Sequence, residues 1–182
     1  KMMENPVERV FDPQRINRVS LWVLPFLVLL FAAPYAIIWF KSLDQLQAYL
    51  FLPLTDQLRL MLSGLLGYVG GIVLHELIHA VTWALLTKGG FQHIRFGRFG
   101  RSGTPYCHLT QPVSSAVYLT GLLMPGVVTG LLPVGLAFWS GSGLLLLWGL
   151  LLTQAATGDA IMAYYLWQEP NRHRVQDHPS EL

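Results

Sequence analysis

Between Ser20 and Phe40 the chain runs 21 residues without a charged side chain. A helix needs about 20 apolar residues to cross the core of a bilayer, so this run points to lipid rather than water as the solvent. Leu60 to Thr87 is interrupted only by His75, Glu76 and His79, Val113 to Ser140 carries no charge, and Gly143 to Trp167 carries one, Asp159. Charged residues make up 12% of the 182, against about 25% in a soluble domain. The sequence therefore predicts a membrane all-α fold. Four transmembrane helices, at approximately 20–40, 60–87, 113–140 and 143–167, form a single membrane-embedded domain over residues 1–182. The first run exceeds the usual 7–15 or so residues of a signal-peptide core, and Pro34 after Ala32-Ala33 makes a poor cleavage site, so it reads as a retained helix.

Charge placement orients these helices. Residues 1–19, 88–112 and the tail hold ten of the twelve basic residues, and the segments between the other helix ends hold Lys41 and Arg59. With four spans, the positive-inside rule puts both termini and the 88–112 loop in the cytoplasm. Basic residues placed beside membrane spans argue against nucleic acid as a partner. Cys107 is the only cysteine, which leaves no disulfide framework and no cysteine-based zinc site.

The connecting segments differ in character. Residues 1–19 read as a polar arm. In 41–59, Leu43, Leu46, Tyr49, Leu50 and Phe51 recur near helical spacing and fit a short helix lying at the interface. From Gly89 to Gln111, apolar and polar residues intersperse around a glycine-rich turn at Gly100 to Pro105, which predicts a short cytoplasmic β-hairpin between helices two and three. Gly121, Pro125, Gly126, Gly130 and Pro133 predict a kinked third span. Ser140-Gly141-Ser142-Gly143 predicts a tight turn joining spans three and four as an antiparallel pair.

The second span carries the chemistry. His75 and His79 lie four residues apart, so both imidazoles project from one face. Two such ligands hold half of a tetrahedral zinc site, and Glu76 beside the first can serve as general base to a zinc-activated water. Ionisable residues inside a span are expensive and usually functional. The bland reading is a buried polar packing cluster, but three such residues within five are hard to explain without a ligand. A third protein ligand is needed. Asp159 is the only other carboxylate within a span, and it matches in depth: counted along their helices, the histidines and Asp159 both lie on the order of 12–15 Å from the inner boundary. His108, just before span three, is the rival for a metal or substrate contact. His93 reads as a strand residue, and His173 and His178 sit in a polar tail with no ligand role unless that tail folds back. Gly64, Gly67 and Gly71 form a small-residue stripe leading to His75, suited to close packing of span two against another span.

An HExxH motif within one span and an aspartate within a later one resemble the site-2 protease class of intramembrane metalloproteases. That resemblance implies peptide hydrolysis within the membrane, with His75, His79 and Asp159 holding Zn2+ and Glu76 as base. A closer likeness is to the small membrane family of putative zincin peptidases, a family of unknown function. It is carried by His75-Glu76-Leu77-Ile78-His79-Ala80, Tyr106-Cys107-His108, Gln111-Pro112, Gly158-Asp159 and Asp177-His178-Pro179. The chain departs from the site-2 pattern: Asp159 is followed by Ala160, the nearest upstream amide is Gln154, and no PDZ-like domain is present.

The expected function is thus a membrane-embedded zinc metalloprotease acting on a membrane protein or peptide within the lipid bilayer, in keeping with a prokaryotic plasma membrane. A substrate strand could add to the edge of the 91–110 ribbon. The alternative is a non-catalytic metal-binding membrane protein, a pseudoprotease or partner-binding scaffold. Against it stand Glu76, which a structural site does not need, and the count of three good ligands where a structural site uses four. A desaturase-like di-iron enzyme needs more histidines than the two within the spans.

Overall fold

The computed structural model describes residues 13–40, 51–99, 104–169 and 174–177. Helix α1 (Pro13–Leu27) passes through a wide π-helical turn, Val28–Ala32, into α2 (Ala33–Trp39). The helix thus starts inside the expected polar arm, where Pro13 supplies the backbone angle that a first helical residue needs. The interface helix expected in 41–59 falls largely on residues 41–50, outside the described residues.

Helix α3 (Leu54–Leu86) is 33 residues long and ends where Gly89 takes a φ of 106°. A single turn, Gly90–His93, leads into strand β1 (Ile94–Phe99), which pairs antiparallel with β2 (Thr104–Leu109). Strand β3 (Val113–Ser114) follows, and Ser114 caps helix α4 (Ser115–Pro125) by accepting the Val117 N–H on its side chain. A second π-helical stretch, Gly126–Leu131, joins α4 to α5 (Leu132–Ser140). Both wide stretches contain the residue four before a proline, Leu30 before Pro34 and Thr129 before Pro133. A proline offers no N–H there and its ring crowds that carbonyl, so the backbone opens locally instead of breaking.

Gly141 turns the chain between α5 and α6 (Gly143–Ala155) with a φ of 73°. The turn is tied to the first span, because the Tyr35 hydroxyl donates to the Gly141 carbonyl at 2.5 Å.

Among the described residues, three helical stretches are long and apolar enough to cross a membrane: Arg18–Trp39, Leu54–Leu86 and Ser115–Ser140. The expected fourth span is not one straight helix. It is α6 followed by α7 (Thr157–Gln168), bent by 42° at Ala156. Ala156 has a ψ of −2°, away from the helical value, which redirects the chain. The bend carries α7 against both α1 and α4.

The tail does fold back. Arg174–Val175 forms strand β4, antiparallel to β3. The Gln176 amide donates to the Thr110 carbonyl and the Arg174 guanidinium to that of Pro112. Backbone carbonyls beside β3 thus take the place of water as partners of the tail's side chains.

Two apolar clusters anchor the ends of the bundle. One joins Leu27, Tyr35, Val134, Ala137, Leu146 and Leu150 around the α5–α6 turn. The other includes Trp83, Ile94, Leu109, Tyr118 and Ala163 and seats the β-ribbon on the helices. The glycine stripe of α3 lies against α6, where a Cβ at Gly67 would overlap the Trp148 ring and one at Gly71 the Leu152 side chain. Close approach of these two helices, expected from the stripe, acts together with the packing of α7 on α1 and α4 to bring Asp159 to α3.

Candidate metal centre

His75 and His79 occupy one face of α3, with ring centroids 4.9 Å apart. Both are buried, at 6% and 5% exposure. The bend after α6 brings Asp159 to them from α7. His75 Nε2 lies 2.9 Å from Asp159 Oδ2, and His79 Nε2 lies 3.6 Å from the same oxygen. One carboxylate oxygen therefore faces two imidazole nitrogens across the α3–α7 contact.

The tautomer of His79 is fixed by its other nitrogen. Nδ1 is 2.8 Å from the backbone carbonyl of Gly121 on α4. A carbonyl can only accept, so Nδ1 carries the hydrogen and the neutral ring turns a bare lone pair at Nε2 toward the carboxylate. Two acceptors then face each other, an arrangement that either a metal ion between them or a proton on Nε2 resolves. A His ligand with its distal N–H on a carbonyl is also the usual outer support of a metal site. Ligand atoms about 2.0–2.1 Å from a tetrahedral zinc stand on the order of 3.3 Å apart. The observed 2.9 and 3.6 Å straddle that value. These two spacings suit Zn2+, while the ligand atoms that converge within 4.8 Å of one another are those of His75, Glu76 and His79. His75 Nδ1 is buried and has no hydrogen-bond partner among the described residues.

Glu76 lies beside the two histidines. A carboxylate oxygen of Glu76 and one nitrogen from each of His75 and His79 lie within 4.8 Å of one another, and no other set of three His, Cys, Asp or Glu side chains among the described residues forms such a group. Glu76 is half-buried and is reached by the backbone N–H of Cys107 on β2. The next outward-facing amide of that strand, at Leu109, donates to Asp177 at 2.7 Å. The outer edge of β2 thus presents its N–H groups to two carboxylates in turn.

His108 lies apart from the group. It is buried, with Nδ1 3.8 Å from Asp177 Oδ2. His93 ends the turn before β1, and its carbonyl accepts from the Thr110 amide. His173 and His178 lie outside the described residues. Gln154, the amide upstream of Asp159, donates to the Ser20 carbonyl on α1 and so serves packing between helices.

Further residues support the site without appearing in its motif. Trp83 stacks on His79 at 5.3 Å and on Tyr118 at 5.5 Å, and its indole N–H donates to the Tyr118 carbonyl. Gly121 lies directly under that indole, where a Cβ would overlap it. The Tyr118 hydroxyl in turn donates to Asp177. Trp83 is four residues beyond His79 and could be read from helical spacing, and Asp177 belongs to the tail motif quoted above. Tyr118 and the Gly121 carbonyl carry no signal in the sequence.

No curated protein and no solved structure matches the chain. A family model described as "Putative zincin peptidase" matches residues 68–174. The matched stretch exceeds half of the chain and contains His75, Glu76, His79, His108 and Asp159. The chain belongs to that zincin peptidase family.

Proposed function

We propose that the chain is a membrane-embedded zinc metallopeptidase that hydrolyses peptide bonds in or near the bilayer, with His75, His79 and Asp159 as metal ligands and Glu76 as general base. The observation that carries this reading is the pair of imidazole Nε2 atoms facing one Asp159 oxygen, with His79 locked by Gly121 into the tautomer that a ligand requires. Zinc held there supplies a Lewis acid and lowers the pKa of water to about 7.

The chain's own residues do the rest. Glu76 is close enough to the histidines to take a proton from an attacking water and return it to the leaving amine. Its contact with the Cys107 amide holds the carboxylate at the ribbon side of the site. A substrate strand laid along the outer edge of β2 would compete with Glu76 and Asp177 for the Cys107 and Leu109 amides, which supports an extended rather than helical peptide as substrate. The distribution of basic residues supports a cytoplasmic ribbon and cytoplasmic termini, with α6 and α7 together as the fourth crossing.

The test is metal content of the detergent-purified protein. Wild type and Glu76→Gln should hold one zinc per chain, Asp159→Ala should lose it, and His108→Ala should keep it. Failure of wild type to take up supplied zinc ends the peptidase reading. Retention by Asp159→Ala with loss in His108→Ala moves the third ligand to His108. A zinc-loaded wild type that cleaves no membrane or peptide substrate, beside an equally inert Glu76→Gln, favours the non-catalytic alternative.

A further inference from the structure

We infer that Asp177, in the folded-back tail, is a positioning residue for the metal ligand His79. The inference rests on the zinc site proposed above and extends it beyond the family-matched stretch, which ends at residue 174. Asp177 uses both carboxylate oxygens: Oδ1 accepts from the Tyr118 hydroxyl, and Oδ2 accepts from the Leu109 amide at 2.7 Å. One side chain thereby joins α4 to the outer edge of β2.

From Tyr118 the contact passes inward through a stack of rings. Tyr118 stacks on Trp83 with planes 29° apart, and Trp83 stacks on His79 with planes 18° apart. Trp83 cannot slide out of this stack without cost, because its N–H is held by the Tyr118 carbonyl and its face lies on Gly121. Gly121 is also the residue whose carbonyl fixes the His79 tautomer. Holding Tyr118 therefore holds both the ring packed on His79 and the short stretch of α4 that supplies its hydrogen bond. A tail that only covered apolar surface would not need a carboxylate with two matched donors. Burying a charge is costly unless its hydrogen bonds are satisfied, so its placement here is specific.

The test compares zinc affinity by chelator competition in the detergent-purified full chain, with Co2+ as a spectroscopic stand-in. Asp177→Ala and Tyr118→Phe should each weaken zinc binding about tenfold, in the range found for outer supports of metal ligands. Their combination should be no worse than Asp177→Ala alone. Asp177→Asn, which keeps an acceptor for Tyr118 but offers N–H to the Leu109 amide, should fall between Asp177→Ala and wild type. Arg174→Ala removes a different tail contact and should bind as wild type does. The d–d absorption of bound Co2+ should shift in Tyr118→Phe, as a reoriented His79 changes the ligand field. Tyr118→Phe decides the matter if Asp177→Ala fails to fold. Zinc affinities within twofold of wild type, or weakened binding with an unchanged cobalt spectrum, overturn the inference while leaving the metal site standing. A wild type that binds no zinc overturns the metal site and this inference with it.

Discussion

His79 donates its Nδ1–H to the carbonyl oxygen of Gly121, 42 residues away in sequence and 2.8 Å away in space. The same glycine accommodates the indole of Trp83, which stacks on His79. One residue without a side chain thus serves the ligand twice, through its carbonyl and through the room it leaves.

Gly121→Val should therefore damage the site from a distance. The new side chain would push Trp83 off the helix and displace the carbonyl from His79. Zinc affinity should fall about 10- to 100-fold. Chelator competition measures the first effect, and a lowered melting temperature should accompany it.

The α3–α6 approach gives an internally controlled prediction. Gly71→Leu would collide with Leu152 and force the helices apart, whereas Gly70 has open space around it. Gly71→Leu should lose stoichiometric zinc, because α7 continues from α6 and carries Asp159 away from α3 when α6 is displaced. Gly70→Leu should hold zinc as wild type does. Metal analysis of the two purified variants side by side is the check.

Glu76→Gln separates binding from chemistry. The amide keeps the size of the side chain but cannot take up a proton. Zinc content should be unchanged and peptide hydrolysis should fall on the order of 100-fold or more. The comparison needs a cleavable reporter peptide and metal analysis on the same preparation.

Cys107 reports on the ribbon. Burial, followed by the charges of Glu76 and Asp177, pushes its thiol up from an ordinary 9.0 to about 12. The thiolate is the reactive form, so maleimide or iodoacetamide labelling at pH 8 should be about 1000-fold slower than in the unfolded chain. Because the folded state holds the proton more tightly, this group's contribution to stability is complete below pH 9 and is lost as pH rises toward 12. Asp177→Asn, which removes one of the nearby negative charges, should speed labelling and leave the labelling of the unfolded chain unchanged. Labelling kinetics followed by intact mass would show both.

How much of this was written in the sequence depends on the range of the interactions. Helix periodicity and charge counting are local, so the apolar helices, the placement of His75, Glu76 and His79 on one face, and the two-stranded ribbon could all be read residue by residue. Asp159 could be matched to the histidines because a helix converts residue number into depth, and depth is the one tertiary coordinate that a membrane imposes on a chain. The bend at Ala156 could not be read, since the residues around it, Ala155 to Gly158, contain no proline and its geometry follows from packing on α1 and α4. The tail's polar composition does not show whether it folds back. Only the folded structure brings Asp177 to two donors whose positions are set by other elements. The Gly121 carbonyl lies furthest from any sequence signal: every residue carries one, and nothing but the crossing of α3 and α4 decides which of them meets His79.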